Sequence, residues 1–128
     1  MDFTNYLANR LIKASVGSLS YTAPAKVFLA LYTTDPTKAG SSSGEVVAPS
    51  YARKEITFSD PADGVSTNAS QIDFATATTN WGNVGWVAVL DSASSGFMLY
   101  FTALDAPKNI LTGDQFKVDV NRLQLTLT

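Results

Sequence analysis

The chain has 128 residues, enough to bury an apolar core without a metal or disulfide to hold it, and one domain is the expectation for that length. Hydrophobic residues make up 45% and charged residues 16%, against about 25% charged in an average globular protein, so part of the surface is expected to be covered by other subunits. The net charge of -2, with nine Lys and Arg scattered singly apart from Arg53-Lys54, excludes a basic stripe that would neutralise a row of phosphates, and nucleic-acid binding with it.

Met1 to Tyr6 contains no positive region leading into an apolar run, and no stretch approaches the roughly 18 apolar residues of a membrane span. The expectation is synthesis in the cytoplasm without a signal peptide, no membrane insertion, and exit by a route such as lysis. Phe3 to Val16 is the first predicted element, a helix with Asp2 as N-cap, a stripe of Phe3, Leu7, Leu11 and Ala14, and Gly17 as the residue that ends it. Its polar face carries Asn5, Asn9 and Lys13, so residues 1–17 are expected to pack by one stripe, either on the sheet of their own domain or on a neighbouring subunit.

After a linker through Pro24, Lys26 to Tyr32 is apolar on both alternating faces, the pattern of a strand buried on both sides. Residues 34–50 combine an Asp35-Pro36 turn with a Gly/Ser stretch and predict a long loop, mobile rather than a hairpin turn. Arg53 to Phe58 alternates as a strand with Ile56 and Phe58 inward, and Gln71 to Phe74 does so with Ile72 and Phe74 inward; the two are expected to pair. Gly85 to Leu90 is again apolar on both faces, and Ser92 to Gly96 separates it from Phe97 to Leu104, which predicts a hairpin. Phe116, Val118 and Val120 alternate, as do Leu123, Leu125 and Leu127, with a phase slip at Asn121-Arg122 that marks a turn or a bulge. The sum is a mainly β fold: an N-terminal helix followed by a seven- to eight-stranded antiparallel β-sandwich or jelly-roll-like domain over residues 18–128.

Histidine and cysteine are both absent, which removes the commonest general base, the commonest metal ligand and the thiol nucleophile. Asp60 and Asp63 sit in a Pro/Gly turn without EF-hand ligand spacing, and Gly40 to Gly44 is not followed by the Lys-Ser/Thr pair of a phosphate loop. The expectation is therefore no catalytic residue, no metal and no cofactor. Aromatic residues carry the remaining signal. Phe28, Tyr32, Tyr51, Trp81 and Tyr100 are the candidate interface residues, with the 34–49 loop beside them; Trp81 and Tyr51 are also the candidates for a sugar-stacking platform, set against the alternative that Trp81 closes one end of the sandwich.

Several segments, in order, carry a resemblance: Leu29 to Pro36, Tyr51 to Phe58, Trp81-Gly82, Leu90 to Tyr100, Pro107-Lys108 and Thr112-Gly113-Asp114. Together they resemble small bacteriophage virion proteins commonly called phage tail fibre proteins, and the likeness extends over nearly the whole chain. It implies a structural component of the virion, most simply a tail fibre or tail-associated protein. That protein would act through self-association, a trimer being the guess, and through contacts with neighbouring phage structural proteins. The alternatives are a capsid decoration protein, of cement or head-fibre type, and a receptor module for a host surface glycan. The resemblance implies no catalytic residue.

Overall fold

The computed structural model describes residues 1–127; Thr128, the last residue of the expected β domain, lies outside them. The helix begins later than its apolar stripe suggests. Asp2–Phe3 is a short strand, β1, paired antiparallel with a distant segment in the register Asp2↔Phe101 and Phe3↔Tyr100. Helix α1 therefore spans Asn5–Ser15 and is capped by Thr4 instead of Asp2. The Thr4 hydroxyl accepts from the Leu7 amide at 3.4 Å and donates to the Met98 carbonyl at 2.6 Å, so one buried side chain both starts the helix and ties it to the sheet. At the other end the Ser18 amide donates to the Lys13 carbonyl around Gly17, which stops the helix where its sequence predicts. Of the expected stripe Leu7 is fully buried and Phe3, Leu11 and Ala14 are half-buried, while Ile12 and Val16, outside that stripe, stand 62% and 74% exposed.

The main sheet contains β2 (Val27–Tyr32), β3 (Lys54–Ile56), β6 (Gly82–Leu90) and β7 (Met98–Ile110), and with β1 its order is β1-β7-β6-β2-β3, all antiparallel. Both central strands are buried on two faces, which is why their sequences are apolar throughout. On one face Leu29, Leu31, Val87 and Val89 join the larger core; on the other Ala30, Tyr32, Ala88 and Leu90 join Met98 and Phe101 in a smaller one. The register places small against small, Ala30↔Ala88, and branched against branched, Leu29↔Val89 and Leu31↔Val87. Between the pairs Val84↔Lys108 and Trp86↔Ala103, Gly85 alone faces the four residues Leu104 to Pro107. That bulge puts Val84 and Val87 on the same face and accommodates a proline that has no N–H for the ladder.

Two ribbons cover the larger core. β4 (Val65–Thr67) pairs with β9 (Gln124–Thr126), and β5 (Ile72–Asp73) pairs with β8 (Lys117–Val118). Ile72, Phe74, Phe116, Val118 and Leu123 bury here, with Phe74 and Phe116 edge to face at 5.7 Å. The fold is thus mainly β after one helix, as the alternation indicates, with nine strands among the described residues. The pairing expected between Arg53–Phe58 and Gln71–Phe74 does not form. β3 takes β2 and β5 takes β8, because the segment between them is drawn away to make its own ribbon with the carboxyl end. In that segment Asp63-Gly64, with φ of 53° and 77°, is a two-residue turn closing the Ala62–Val65 bridge. The phase slip at Asn121-Arg122 is a turn, with Asn121 at φ 65°, and it leaves Val120 47% exposed instead of inward.

Asn68 holds the two ends of this layer together. It is fully buried, its Nδ2 donates to the carbonyls of Ser70 and Asp119 at 2.9 Å each, and its Oδ1 accepts from the Leu123 amide at 2.9 Å. Asn68→Leu fills the space but removes three hydrogen bonds and leaves the Ser70 carbonyl and the Leu123 amide without partners, and should lower the urea unfolding free energy by about 3 kcal/mol. A loss under about 1 kcal/mol would mean that water replaces all three bonds.

Candidate functional site

The loop after β2, whose Gly/Ser content suggests mobility, is bonded to the rest of the protein along its length. Pro36 is fully buried, Thr33 donates to the Gly44 carbonyl at 2.8 Å, Val46 donates to the Leu31 carbonyl at 3.0 Å, and the Asn5 amide donates to the Lys38 carbonyl at 2.8 Å. Val46 reaches the larger core. The loop therefore runs back along β2 and brings Glu45 beside the strand from which it left, bridged to Tyr32.

There Glu45, Tyr51 and Arg53 form the most organised polar cluster of the described chain. Arg53 grips Glu45 with two bonds, Nε to Oε2 and Nη2 to Oε1, both 2.8 Å, and Tyr51 Oη donates to Oε2 at 2.7 Å while accepting from the Leu31 amide at 3.1 Å. Arg53 Nη1 donates to the carbonyls of Ser92 at 2.9 Å and Ser95 at 2.8 Å, inside the β6–β7 turn. The turn is shaped for this. Asp91 accepts from the Phe97 amide at 2.8 Å, and Gly96 sits at φ 76° where a Cβ would collide with Asp91 and Ser92.

The ion pair is largely shielded, with the Arg53 and Glu45 side chains 6% and 16% exposed. Burial by itself raises the Glu45 carboxyl, but the hydrogen bonds from Arg53 and Tyr51 outweigh it and hold the group below its usual value. Burial, then the Glu45 charge, pushes Tyr32 up to about 12, and Tyr51 is raised further, burial again being the largest cause. Four of the five guanidinium donors are engaged and the carboxylate accepts three bonds, so the cluster binds its own backbone and has little left for a ligand.

The candidate interface residues separate on this frame. Tyr32 is fully buried, its hydroxyl without a hydrogen-bond partner, and Trp81 is 5% exposed with its indole N–H donating to Ser50 Oγ at 3.2 Å. Both lie inside the protein, because the faces that their strands present are closed by the loop and by the ribbon layer. A sugar-stacking surface on Trp81 is thereby closed, and Tyr51, stacked beside Phe74 and edge-on to Trp81 at 5.5 Å, is committed to the clamp and the core. Phe28 is half-buried opposite Leu90, and Tyr100 is half-buried edge-on to Phe3 at 5.6 Å. Neither touches the clamp. The large apolar side chains that do stand outward are others, among them Ile12, Val16, Val47, Phe97 and Leu127. Their signal in the sequence is faint, since an apolar residue on a helix or loop reads as core until the covering segments are known.

Among the described residues no group of three or more His, Cys, Asp or Glu is placed to hold a metal ion, and no helix is long and apolar enough to cross a membrane. The best-ordered polar cluster is spent on the protein's own backbone, which is the arrangement of a structural module. Over residues 2–126 the chain matches the family described as podophage GP4 fiber I protein gp80, and it belongs to that family. It is a phage structural protein of fibre type and a component of the virion. No curated protein matches the chain.

Arg53→Ala leaves the Glu45 carboxylate shielded without its partner and frees two turn carbonyls, and should lower stability by about 2–4 kcal/mol in urea unfolding. The paired replacement Glu45→Gln with Arg53→Met should recover at least half of that loss. If the single change costs less than about 1 kcal/mol, the clamp does not govern the fold.

The pH dependence has two limits. Glu45 has a folded pKa below its ordinary 4.5, so the stability it contributes is present above that value and is lost as pH falls through the folded one; Glu45→Gln should flatten this acid limb. Tyr32 and Tyr51 have folded pKa values above the ordinary 10.0, so their contribution is complete below pH 10 and is lost as pH rises beyond it. Absorbance of the phenolate should show these two of the five tyrosines ionising only as the protein unfolds. Titration of all five near pH 10 with the fold intact would contradict the arrangement.

Proposed function

We propose that the protein is a tail-associated fibre module that works without catalysis, assembling with copies of itself and docking on neighbouring virion proteins. The observation that carries this reading is the set of large apolar side chains left outward by a chain that has closed both faces of its central strands. Val47 is 95%, Val16 74% and Ile12 62% exposed, on a protein with 16% charged residues. Such residues expose apolar area to water that a contact with another subunit removes, at roughly 25 cal/mol per Å². Helix 1–17 and the β part that follows are read as one unit, since Thr4 and the 34–50 loop bond across them. Phe28 and Tyr100 remain interface candidates on this reading, and a trimer is the proposed copy number, cyclic symmetry being common among self-associating chains.

A second reading, contact with a host surface glycan, is favoured by one observation. Phe97, 55% exposed, stacks on Tyr6 with ring centroids 4.2 Å apart, and the Arg10 guanidinium lies 4.8 Å from the Tyr6 centroid. Tyr6 is held between the two, so the outer face of Phe97 is a rigid apolar plane of the kind on which a sugar ring packs.

Sedimentation of the purified chain at micromolar concentration should give a mass three times 13.6 kDa, and gold-labelled antibody should mark the tail of intact particles. Label confined to the head would make it a decoration or head-fibre protein. A monomer absent from purified particles would overturn the proposal. For the second reading, a glycan array that binds the wild type and loses signal with Phe97→Ala supports it; no binding by either ends it.

A further inference from the structure

Charge is scarce on this chain, and two places where it stands unpaired differ in sign. Where the bulge lifts Leu104 to Pro107 away from Gly85, a cleft of about 400 Å³ opens between β7 and the segment that runs on from β8. Its floor is the edge of the larger core, with Val87, Phe116 and Leu123 at the bottom. Its rim carries Lys108, Lys117 and Arg122, three of the nine cations of the chain. Among the described residues none of the three makes an ion pair. Asp73 stands opposite Lys117 across the ladder but accepts from Gln71 instead. Asp105 and Asp119 share the rim, so three cations face two carboxylates and one positive charge is in excess. An apolar floor inside a charged rim is the anatomy of a protein contact.

The complement is the turn of residues 59–64, every residue of which is exposed. Asp60 and Asp63 flank Pro61-Ala62 there, and neither carboxylate has an ion-pair partner among the described residues. Paired backbone bonds between Ala62 and Val65, 2.9 and 3.0 Å, hold the turn stiff. We propose that the 59–64 turn of one copy seats in the cleft of the next, Pro61 and Ala62 on the apolar floor and Asp60 and Asp63 against the cationic rim. The inference rests on the self-association proposed above and names its two surfaces. The turn does not fill the cleft of its own chain, since none of its residues lines it. It borders β7 at Tyr100, opposite Val89, whereas the cleft reaches Lys108, opposite Val84, five residues or about 16 Å further along β6. Contact between two different patches is head-to-tail, and such contacts close into rings, as the proposed trimer requires. Opposite charge across the contact fixes the register in which the turn enters.

Three variants of the full chain test the seating. The cleft variant carries Lys108→Glu with Arg122→Glu; the turn variant carries Asp60→Lys with Asp63→Asn, asparagine tolerating the φ of 53° at that position; the third combines all four changes. Every altered side chain is exposed, so circular dichroism and the urea midpoint should match the wild type. In sedimentation the cleft and turn variants should each associate only at a concentration at least roughly tenfold higher, because like charges then meet, and the combination should return to within about threefold of the wild type. Carbodiimide, which joins a carboxylate directly to an amine in contact with it, should link Asp60 or Asp63 of one copy to Lys108 or Lys117 of another. Mixing isotope-labelled with unlabelled chains identifies the link as intermolecular by mass spectrometry. An oligomer that neither variant weakens, without such a link, overturns the seating and leaves self-association intact. Weakened association that the combination does not restore overturns the pairing of these two patches. A wild type that stays monomeric removes self-association and this inference with it; if that monomer enters particles and the cleft variant does not, the cleft takes an acidic segment of a different virion protein.

Discussion

The grip of Arg53 on Glu45 is the contact on which the rest of the structure hangs, because a single side chain joins three parts of the chain. Glu45 closes the loop leaving β2, Arg53 precedes β3, and the carbonyls of Ser92 and Ser95 belong to the turn between β6 and β7. A shielded ion pair contributes little net stability by comparison with apolar groups of the same size, since desolvation offsets most of its attraction. Its effect here is positional. Each guanidinium bond has a fixed direction, and Tyr51 passes the constraint on to the Leu31 amide in the middle of the sheet. Apolar side chains in the same place would hold these segments together but leave their register loose.

From that constraint the division of the core follows. With Glu45 held against β2, the loop covers the side of the sheet where Tyr32, Met98 and Phe101 lie, and Pro36 is buried beneath it. The opposite side is shared between Val46 at the end of that loop and the two ribbons, whose side chains come from residues 65–74 and 116–126 and are fastened by Asn68. The Tyr32 hydroxyl is the point of conflict. It is buried near Glu45 and Arg53, most of whose hydrogen-bonding positions are taken by other groups, and it has no partner. An unsatisfied phenol there opposes folding by about 1–3 kcal/mol, a penalty offset by the apolar area that the same ring buries.

Much of this was legible in the sequence, for identifiable reasons. The strands Val27–Tyr32 and Gly82–Leu90 are apolar on both faces because both faces are covered, and period-two alternation marked Ile72 with Phe74 and Phe116 with Val118 as inward pairs. Pairing was harder. Nothing local tells β5 to take β8 in place of the nearer β3, because partner choice depends on where the Asn68 segment is pulled. The helix start failed for a related reason: Phe3 has the right spacing for the apolar stripe, but an open edge at Tyr100 and Phe101 offered its backbone a better partner. Of the aromatic interface candidates Tyr32 and Trp81 are buried, which strand phase cannot foretell because it defines two faces without saying what lies over each; for Trp81 the sequence also offers the reading that it closes one end of the sandwich.

The clamp itself was half visible. Tyr51-Ala52-Arg53 stood out as a motif, yet Arg53 and Glu45 are eight residues apart across a loop whose Gly and Ser content reads as disorder. A loop of that composition holds one conformation only if its ends and middle are bonded, and here they are, at Gly44, Lys38 and Pro36. Glu45, Arg53 and the turn carbonyls satisfy one another, while Val47, Val16 and Ile12 stand outward on a chain that has few charges to begin with. A lone chain bears that exposure as a liability in water, whereas a fibre protein that is always surrounded by its assembly partners does not.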